Sequence, residues 1–355
     1  MARRRRIAVV PGDGIGQEVI PEGVKLLELL DDKLGLGLEL VPKDWGAERW
    51  LKEKVGLPAG ALDELRESYD AVYFGALGDP RVPDMAHGRE ILLGMRQGLE
   101  LYANVRPVQV LDDKLCPLKG KGEAEVDLVI IRENTEDLYV SLGGHFKPGM
   151  SDEVAIDQSM NTYKGVERVV RYAFEYAKKA GRKKVTMTDK SNAIRFGGGL
   201  WQRVFKEVAA AYPDIEADHL FVDVLAMEMV RKPERFDVIV ANNLFGDILS
   251  DLGAGLVGSL GLAASANLHP GRIGLFEPVH GSAPDIAGQG KANPLAAFLT
   301  ASLMLDFVEA PEAAKAVEQA VRWAVREGAV TADLGGSLST SEVGERVREQ
   351  VNASL

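Results

Sequence analysis

The chain is short of everything that would tie it to a disulfide scaffold, a membrane or a nucleic acid. It has a single cysteine, Cys116, in 355 residues. No internal disulfide framework can form, and a reducing compartment fits. Basic residues are outnumbered, 42 Lys and Arg against 53 Asp and Glu, for a net charge of −11. That balance argues against nucleic acid or an anionic membrane surface as partner. It also means that an anionic substrate would need a local cluster of Arg or Lys. Long apolar runs are missing as well. The start, MARRRR, resembles the basic region of a signal peptide, but only four apolar residues follow before Pro11-Gly-Asp-Gly, too few for a hydrophobic core region. No later stretch reaches membrane-span length, so a soluble cytoplasmic protein is expected. Internal repeats, low-complexity tracts and linker-like stretches are also lacking, so any domains should be interwoven and not strung in series.

What is present is ordinary globular composition, 46% hydrophobic and 27% charged, at a length that allows two domains or one large α/β unit. Short β-branched runs at Arg6–Val10, Ala71–Phe74, Asp127–Ile131, Lys184–Thr188 and Asp237–Ala241 read as strands. Amphipathic segments lie between them, such as Ile20, Val24, Leu27 and Leu30 at roughly helical spacing. This alternation predicts an α/β fold with mostly parallel pairing. From Gly143 to Asn161 the helical pattern fails, and alternating Val154 and Ile156 suggest a hairpin or arm.

The most informative segment is NLFGDILSDLGAG, Asn243 to Gly255. If it is helical, Asp247 and Asp251 share one face. Two hard oxygen ligands with no His or Cys nearby suit Mg²⁺ or Mn²⁺ better than zinc. The same pair could equally be an acidic helix start that complements the dipole. Arg96, Arg106 and Arg132 each sit beside apolar residues. Guanidinium forks grip carboxylates and stay charged when desolvated, so three together would hold a dicarboxylate; separate structural salt bridges are the plainer use. Tyr139 and Lys190 are candidate proton-transfer groups. Lys190 follows a strand-like run, where ligands bind in α/β sheets, although a surface lysine would look the same. Pro11-Gly-Asp-Gly-Ile-Gly is either a tight turn or a loop whose N–H groups meet an anion. The stretch from Phe276 to Pro294 gathers Gly281, Gly288 and Gly290 with His280, Asp285 and Asn293, and is too rich in Gly and Pro for regular structure. Loops of this kind are usually functional. Asp285 could accept from a ribose diol and repel a 2′-phosphate, which selects NAD.

Taken in order, these segments resemble the β-decarboxylating dehydrogenases, a family that includes isopropylmalate, isocitrate, homoisocitrate and tartrate/D-malate enzymes. The resemblance runs from GDGIG near the start to Ser339-Thr-Ser-Glu-Val-Gly-Glu near the end. It implies an isopropylmalate/isocitrate dehydrogenase-like two-domain α/β fold, with a large mixed sheet flanked by helices and a non-Rossmann cofactor site. A discontinuous cofactor domain, 1–101 with 256–355, would embrace a central domain, 102–255. The central domain would carry substrate, metal and dimer contacts, with an arm at about 143–161. The metal, Mg²⁺ or Mn²⁺, would be held by Asp247 and Asp251 with Asp223 from a second subunit. Arg96, Arg106 and Arg132 would grip the malate carboxylates. Tyr139 and Lys190 would be the catalytic pair, with Asn192 beside them. Glu277, His280, Gly281, Ser282, Ala283, Asp285, Ile286 and Asn293 would line the NAD site. K⁺ is a candidate activator. A homodimer with shared active sites is implied, with a tetramer as the alternative.

Family members differ in the group on the carbon next to the malate core, read by the helix before Arg96. Here Leu92 and Leu93 stand one turn ahead of it. They suit an isopropyl group, if they do not simply pack in the core. The expected reaction is therefore NAD-dependent oxidative decarboxylation of 3-isopropylmalate in leucine biosynthesis. Tartrate or D-malate is the alternative, with isocitrate and homoisocitrate behind it. A catalytically dead regulatory subunit would be expected to lose Lys190, Tyr139 or the metal carboxylates, all of which are retained. Asp137 stands where glycine is more usual, close to Tyr139. The insertion Gly78 to Glu90 is also uncommon in form.

Overall fold

A computed structural model describes residues 4–355. The chain divides into two compact units. One comprises residues 1–101, 109–123 and 254–355, the other residues 102–108 and 124–253. Of the twelve strands among the described residues, five stand in a row in each unit and two more form a separate hairpin, and helices pack on the rows in an α/β arrangement.

In the first unit the strand order is Leu38–Pro42, Arg5–Gly12, Ala71–Ala76, Ile273–Pro278, Ala264–His269. The first four run parallel, and the last pairs antiparallel with Ile273–Pro278. All six residues of Ala71–Ala76 are buried, which is why that run lacks alternation. Ala8, Val10, Phe74 and Leu275 form a core with Ile91, Met95 and Leu99 from the segment that carries Arg96. The helix Leu295–Phe307 is mostly apolar and largely buried, as a helix packed among other elements must be. The last helix, Thr340–Ser354, starts with a capping box between Ser339 and Glu342. Residues 109–123 lie with this unit and not with the central segment. Glu123 reaches Arg322 at 3.4 Å and Arg326 at 2.8 Å, and nothing in the local sequence announces that long-range pairing.

In the second unit the order is Ala103–Gln109, Asp127–Glu133, Val238–Ala241, Lys184–Asp189, Glu216–Phe221. The last four are parallel, with Ala241 in register beside Arg132 on one side and Thr188 on the other. Their carboxyl ends therefore deliver Arg132, the helix Asn243–Leu256 and Lys190 to one edge of the sheet, the usual place for ligands in such folds. All five runs expected as strands are strands. Two of the strands that composition did not reveal have clear reasons. Glu216–Phe221 is a partly exposed strand at the end of its row, with charged residues, and Ala103–Gln109 contains Pro107. Gly143–Phe146 pairs antiparallel with Val154–Asp157 in a hairpin whose residues are all exposed, Phe146, Val154 and Ile156 among them. No helix among the described residues is long and apolar enough to cross a membrane.

Candidate active site

The helix Asn243–Leu256 starts directly after the strand Val238–Ala241 and carries Asp247 and Asp251 one turn apart. Beneath its first turn runs Arg132, whose side chain is 1% exposed. A Cβ at Gly246 would come within 2.6 Å of the Arg132 side chain, so only glycine lets the helix lie this close. Arg132 donates from Nε to Asn243 Oδ1 at 2.9 Å and forms a short ion pair with Asp247. Arg106, also buried, donates to Asn104 Oδ1 at 3.0 Å, Ser250 Oγ at 2.8 Å and Asp251 Oδ1 at 3.2 Å, with Asp247 at 3.7 Å. The Tyr139 hydroxyl donates to Asp247 Oδ2 at 2.6 Å, and the Arg132 guanidinium lies over its ring at 5.0 Å.

Two guanidinium groups, two carboxylates and a phenol thus form one cluster. The charges compensate each other, which is how buried arginines are tolerated without a ligand. Asp247 and Asp251 keep 35% and 65% of their side-chain surface open, so a cation could reach their oxygens.

Lys190 is paired elsewhere in the same unit. Its Nζ lies 2.7 Å from Asp223 Oδ1, and that hydrogen bond holds the Asp223 carboxyl below the usual carboxylate range. Asn192, two residues on, is exposed. Among the described residues no three His, Cys, Asp or Glu gather as a metal site, so Asp223 does not join Asp247 and Asp251 of its own chain.

Arg96 belongs to the first unit, where it donates to Glu277 Oε1 at 2.9 Å. Its Nε is buried without a hydrogen-bond partner, a donor left for something else. Glu277 also accepts from Asn267 at 2.9 Å. Leu92 and Leu93 lie on a π-helical turn, Arg89–Leu93, just before Arg96; such bulges are common at functional sites. The two leucines are not equivalent. Both are half-buried, but Leu92 packs against the core of its unit.

The glycine-rich loop lies in the same unit and is held from behind. Glu18 accepts from the backbone N–H groups of Gly288 at 2.5 Å and Gly290 at 2.8 Å, and Ile15 N–H donates to the Ser282 carbonyl at 2.8 Å. Gly14 has φ +50°, and a Cβ there would sit 2.1 Å from that same carbonyl. The GDGIG stretch is therefore a tight turn that seats the loop, with the Ile15 N–H spent on protein and not on an anion. Ala283, at φ 39°, bends the loop; Asp285 is exposed and Ile286 half-buried. Gly281 has open space where a side chain would be. His280 has its Nδ1 against the Gly281 carbonyl at 3.0 Å, while Nε2 is buried without a partner. Burial pushes the His280 imidazole below its ordinary pKa. Asn293 is committed to structure. It donates to Asp333 at 3.0 Å and accepts from Leu295 N–H at 2.9 Å.

Sequence reasoning missed the groups that hold the guanidiniums, namely Asn104, Asn243 and Ser250. Their spacing was a usable signal. Asn104 is two residues before Arg106 on a strand, and Ser250 lies three after Asp247 on a helix, so each shares a face with its partner. Glu18 had no such signal, because it acts 270 residues away.

Comparison with known proteins identifies the family. The family model for isocitrate/isopropylmalate dehydrogenase matches residues 6–347. A 3-isopropylmalate dehydrogenase of Thermobifida fusca (strain YX) is 45% identical over 352 residues, 99% of this chain and 98% of its own length. A probable tartrate dehydrogenase/decarboxylase of Agrobacterium vitis is 42% identical over 355 residues, 99% of each chain. The crystal structure of isocitrate dehydrogenase from Methylococcus capsulatus superposes with a TM-score of 0.89 at 40% identity, covering 98% of this chain and 99% of that one. The chain belongs to the isocitrate/isopropylmalate dehydrogenase family and is a β-decarboxylating dehydrogenase.

Proposed function

We propose that the protein catalyses NAD-dependent oxidative decarboxylation of (2R,3S)-3-isopropylmalate to 4-methyl-2-oxopentanoate and CO₂, a step of leucine biosynthesis. The observation that carries the substrate choice is the apolar pair Leu92 and Leu93 on the π-helical turn ahead of Arg96. Isopropyl is the branch of the family's substrates that such a surface favours, by about 1–3 kcal/mol for one apolar contact.

The donor set fits a divalent cation of the hard class. Asp247 and Asp251 offer only oxygens, on a rigid helix, with open faces. The loop fits a nicotinamide dinucleotide. Gly281 leaves open space, His280 Nε2 is unpartnered and Asp285 is exposed, and a carboxylate at Asp285 favours NAD over NADP. When bound, the cation would supply Lewis acidity and NAD⁺ a hydride acceptor. Arg106 and Arg132 would turn from Asp251 and Asp247 to the substrate carboxylates, joined by Arg96 through its unpartnered Nε. Lys190 would take the proton of the substrate hydroxyl, directly or through water, as the carbinol carbon gives up its hydride. The β-carboxylate then leaves as CO₂, and Tyr139 would protonate the enol carbon. Lys190 and Asp223 would act in the site of a partner subunit of a homodimer, or of a dimer within a tetramer. Asn192 would assist them. K⁺ would be an activator, and the cytoplasm the expected setting for a chain with one cysteine.

A second reading, tartrate or D-malate as substrate, is favoured by the packing of Leu92 against the core, which leaves Leu93 as the more available apolar contact. The test is NADH formation at matched concentrations of 3-isopropylmalate, D-malate, tartrate, isocitrate and homoisocitrate, with Mg²⁺ and K⁺ present. A kcat/KM for 3-isopropylmalate about tenfold or more above the rest supports the proposal. Preference for D-malate or tartrate would replace the substrate and assign both leucines to packing.

A further inference from the structure

Asp137 adopts φ 67° and ψ −143°, a backbone region that only glycine enters without strain. It is nevertheless an aspartate, and it is buried. Its carboxylate is fully engaged. Oδ2 accepts from the backbone N–H of Leu244 at 3.0 Å, and Oδ1 accepts from the Ser159 hydroxyl at 2.5 Å. Its backbone N–H donates to the Met160 carbonyl at 2.8 Å. Leu244 is the second residue of the helix that carries Asp247, where N–H groups have no intrahelical acceptor and favour a negative charge. Two residues after Asp137 comes Tyr139, on the short turn Leu138–Val140, and the Tyr139 hydroxyl closes the circuit on Asp247 at 2.6 Å.

We infer that Asp137 is a positioning residue, which fixes the Tyr139 hydroxyl against Asp247 by clamping the Tyr139 turn to the start of the Asp247 helix. A glycine would remove the strain and also remove both side-chain hydrogen bonds. The aspartate keeps a costly backbone conformation in exchange for a tie between two segments more than 100 residues apart in sequence. Ser159 extends the tie, because its hydroxyl also accepts from Asn161, and Asn161 accepts from the Trp201 indole N–H at 2.8 Å. The turn is thus fixed to the end of the segment that follows the exposed hairpin. This inference rests on the reading that Tyr139 and Asp247 belong to the reaction centre. It does not depend on which hydroxy acid is the substrate.

The test is a double-mutant cycle with Asp137→Gly and Tyr139→Phe, assayed with the best substrate of the panel above, with Asp137→Asn as a second variant. Asp137→Gly should lower kcat about tenfold, the scale of a modest misplacement, with KM within about twofold and the thermal midpoint close to that of the parent. In the Tyr139→Phe background the same change should cost less than about twofold, because the group being positioned is gone. Asp137→Asn, which keeps one oxygen for Leu244, should recover most of the loss. An equal tenfold loss in both backgrounds would make Asp137 a general structural residue and overturn the inference, as would full activity of Asp137→Gly. If Tyr139→Phe alone has no effect, the site reading itself fails, and the inference falls with it.

Discussion

The two regions that bear the proposed chemistry are stabilised in opposite ways. The Asp247 cluster is made of side chains on regular elements, with Arg106 and Arg132 on strands and Asp247 and Asp251 on a helix. Its charges satisfy each other: Asp247 pairs closely with Arg132 and lies 3.7 Å from Arg106, which reaches Asp251 at 3.2 Å. The Gly281–Asn293 loop is held through its backbone, by Glu18, by Ile15 and by the close approach of Gly14. A side-chain cluster can be organised before a ligand arrives because each ion has a counter-ion nearby. A loop without a ladder must borrow its acceptors and donors from distant residues. Mutations should therefore act locally on charge balance in the cluster, and through the seat of the loop elsewhere.

The largest effect on stability should come from breaking the cluster. Asp247→Ala leaves Arg132 buried without its carboxylate and should destabilise the protein by about 3 kcal/mol, read as a lower urea midpoint at unchanged slope. A variant with native stability would show that the Arg132–Asp247 pair is not what makes the buried guanidinium tolerable. Next comes the seat of the loop. Gly14→Ala puts a methyl against the Ser282 carbonyl at a positive φ and should cost about 2 kcal/mol, while weakening NADH binding measured by fluorescence titration. Weakened stability with native NADH affinity would separate the turn from the loop and break the contrast.

Asp285→Lys changes charge on an exposed position and leaves the seat intact. It should shift the ratio of NADP to NAD affinity about tenfold, ~1.4 kcal/mol, with no change in melting temperature. An unchanged ratio would remove Asp285 from cofactor selection. The smallest effect concerns His280. Burial holds the folded imidazole below its ordinary pKa of 6.5, so the unfolded chain takes up the proton first as pH falls. Stability should thus be complete above pH 6.5 and decline below it. His280→Gln should flatten the fall in melting temperature between neutral and mildly acidic pH; an identical slope would show that other groups set it.

Much of this was legible in the sequence because it is local. The five apolar runs, the four-residue spacing of Asp247 and Asp251 and the Gly-rich stretch each report their own neighbourhood, and their order along the chain carried the family. What was hidden depends on contacts between distant residues. The Arg96–Glu277 pair spans 181 positions, and the Glu123 contacts that draw residues 109–123 into the first unit span about two hundred. Asp137 was visible as an unusual residue where glycine is commoner, but its meaning needed the position of Leu244. Leu92 and Leu93 look alike in sequence, and only packing distinguishes them.

The central claim is that the Asp247 cluster of one chain works with the Lys190 and Asp223 of another. The most direct test is co-expression of a Lys190→Met chain and an Asp247→Asn chain on two affinity tags, with the doubly tagged hybrid assayed for NADH formation. Each variant alone should be inactive. The hybrid dimer should contain one intact site in two and recover about half of native turnover. A hybrid as inactive as its parents would place the whole reaction centre within a single chain and contradict the account.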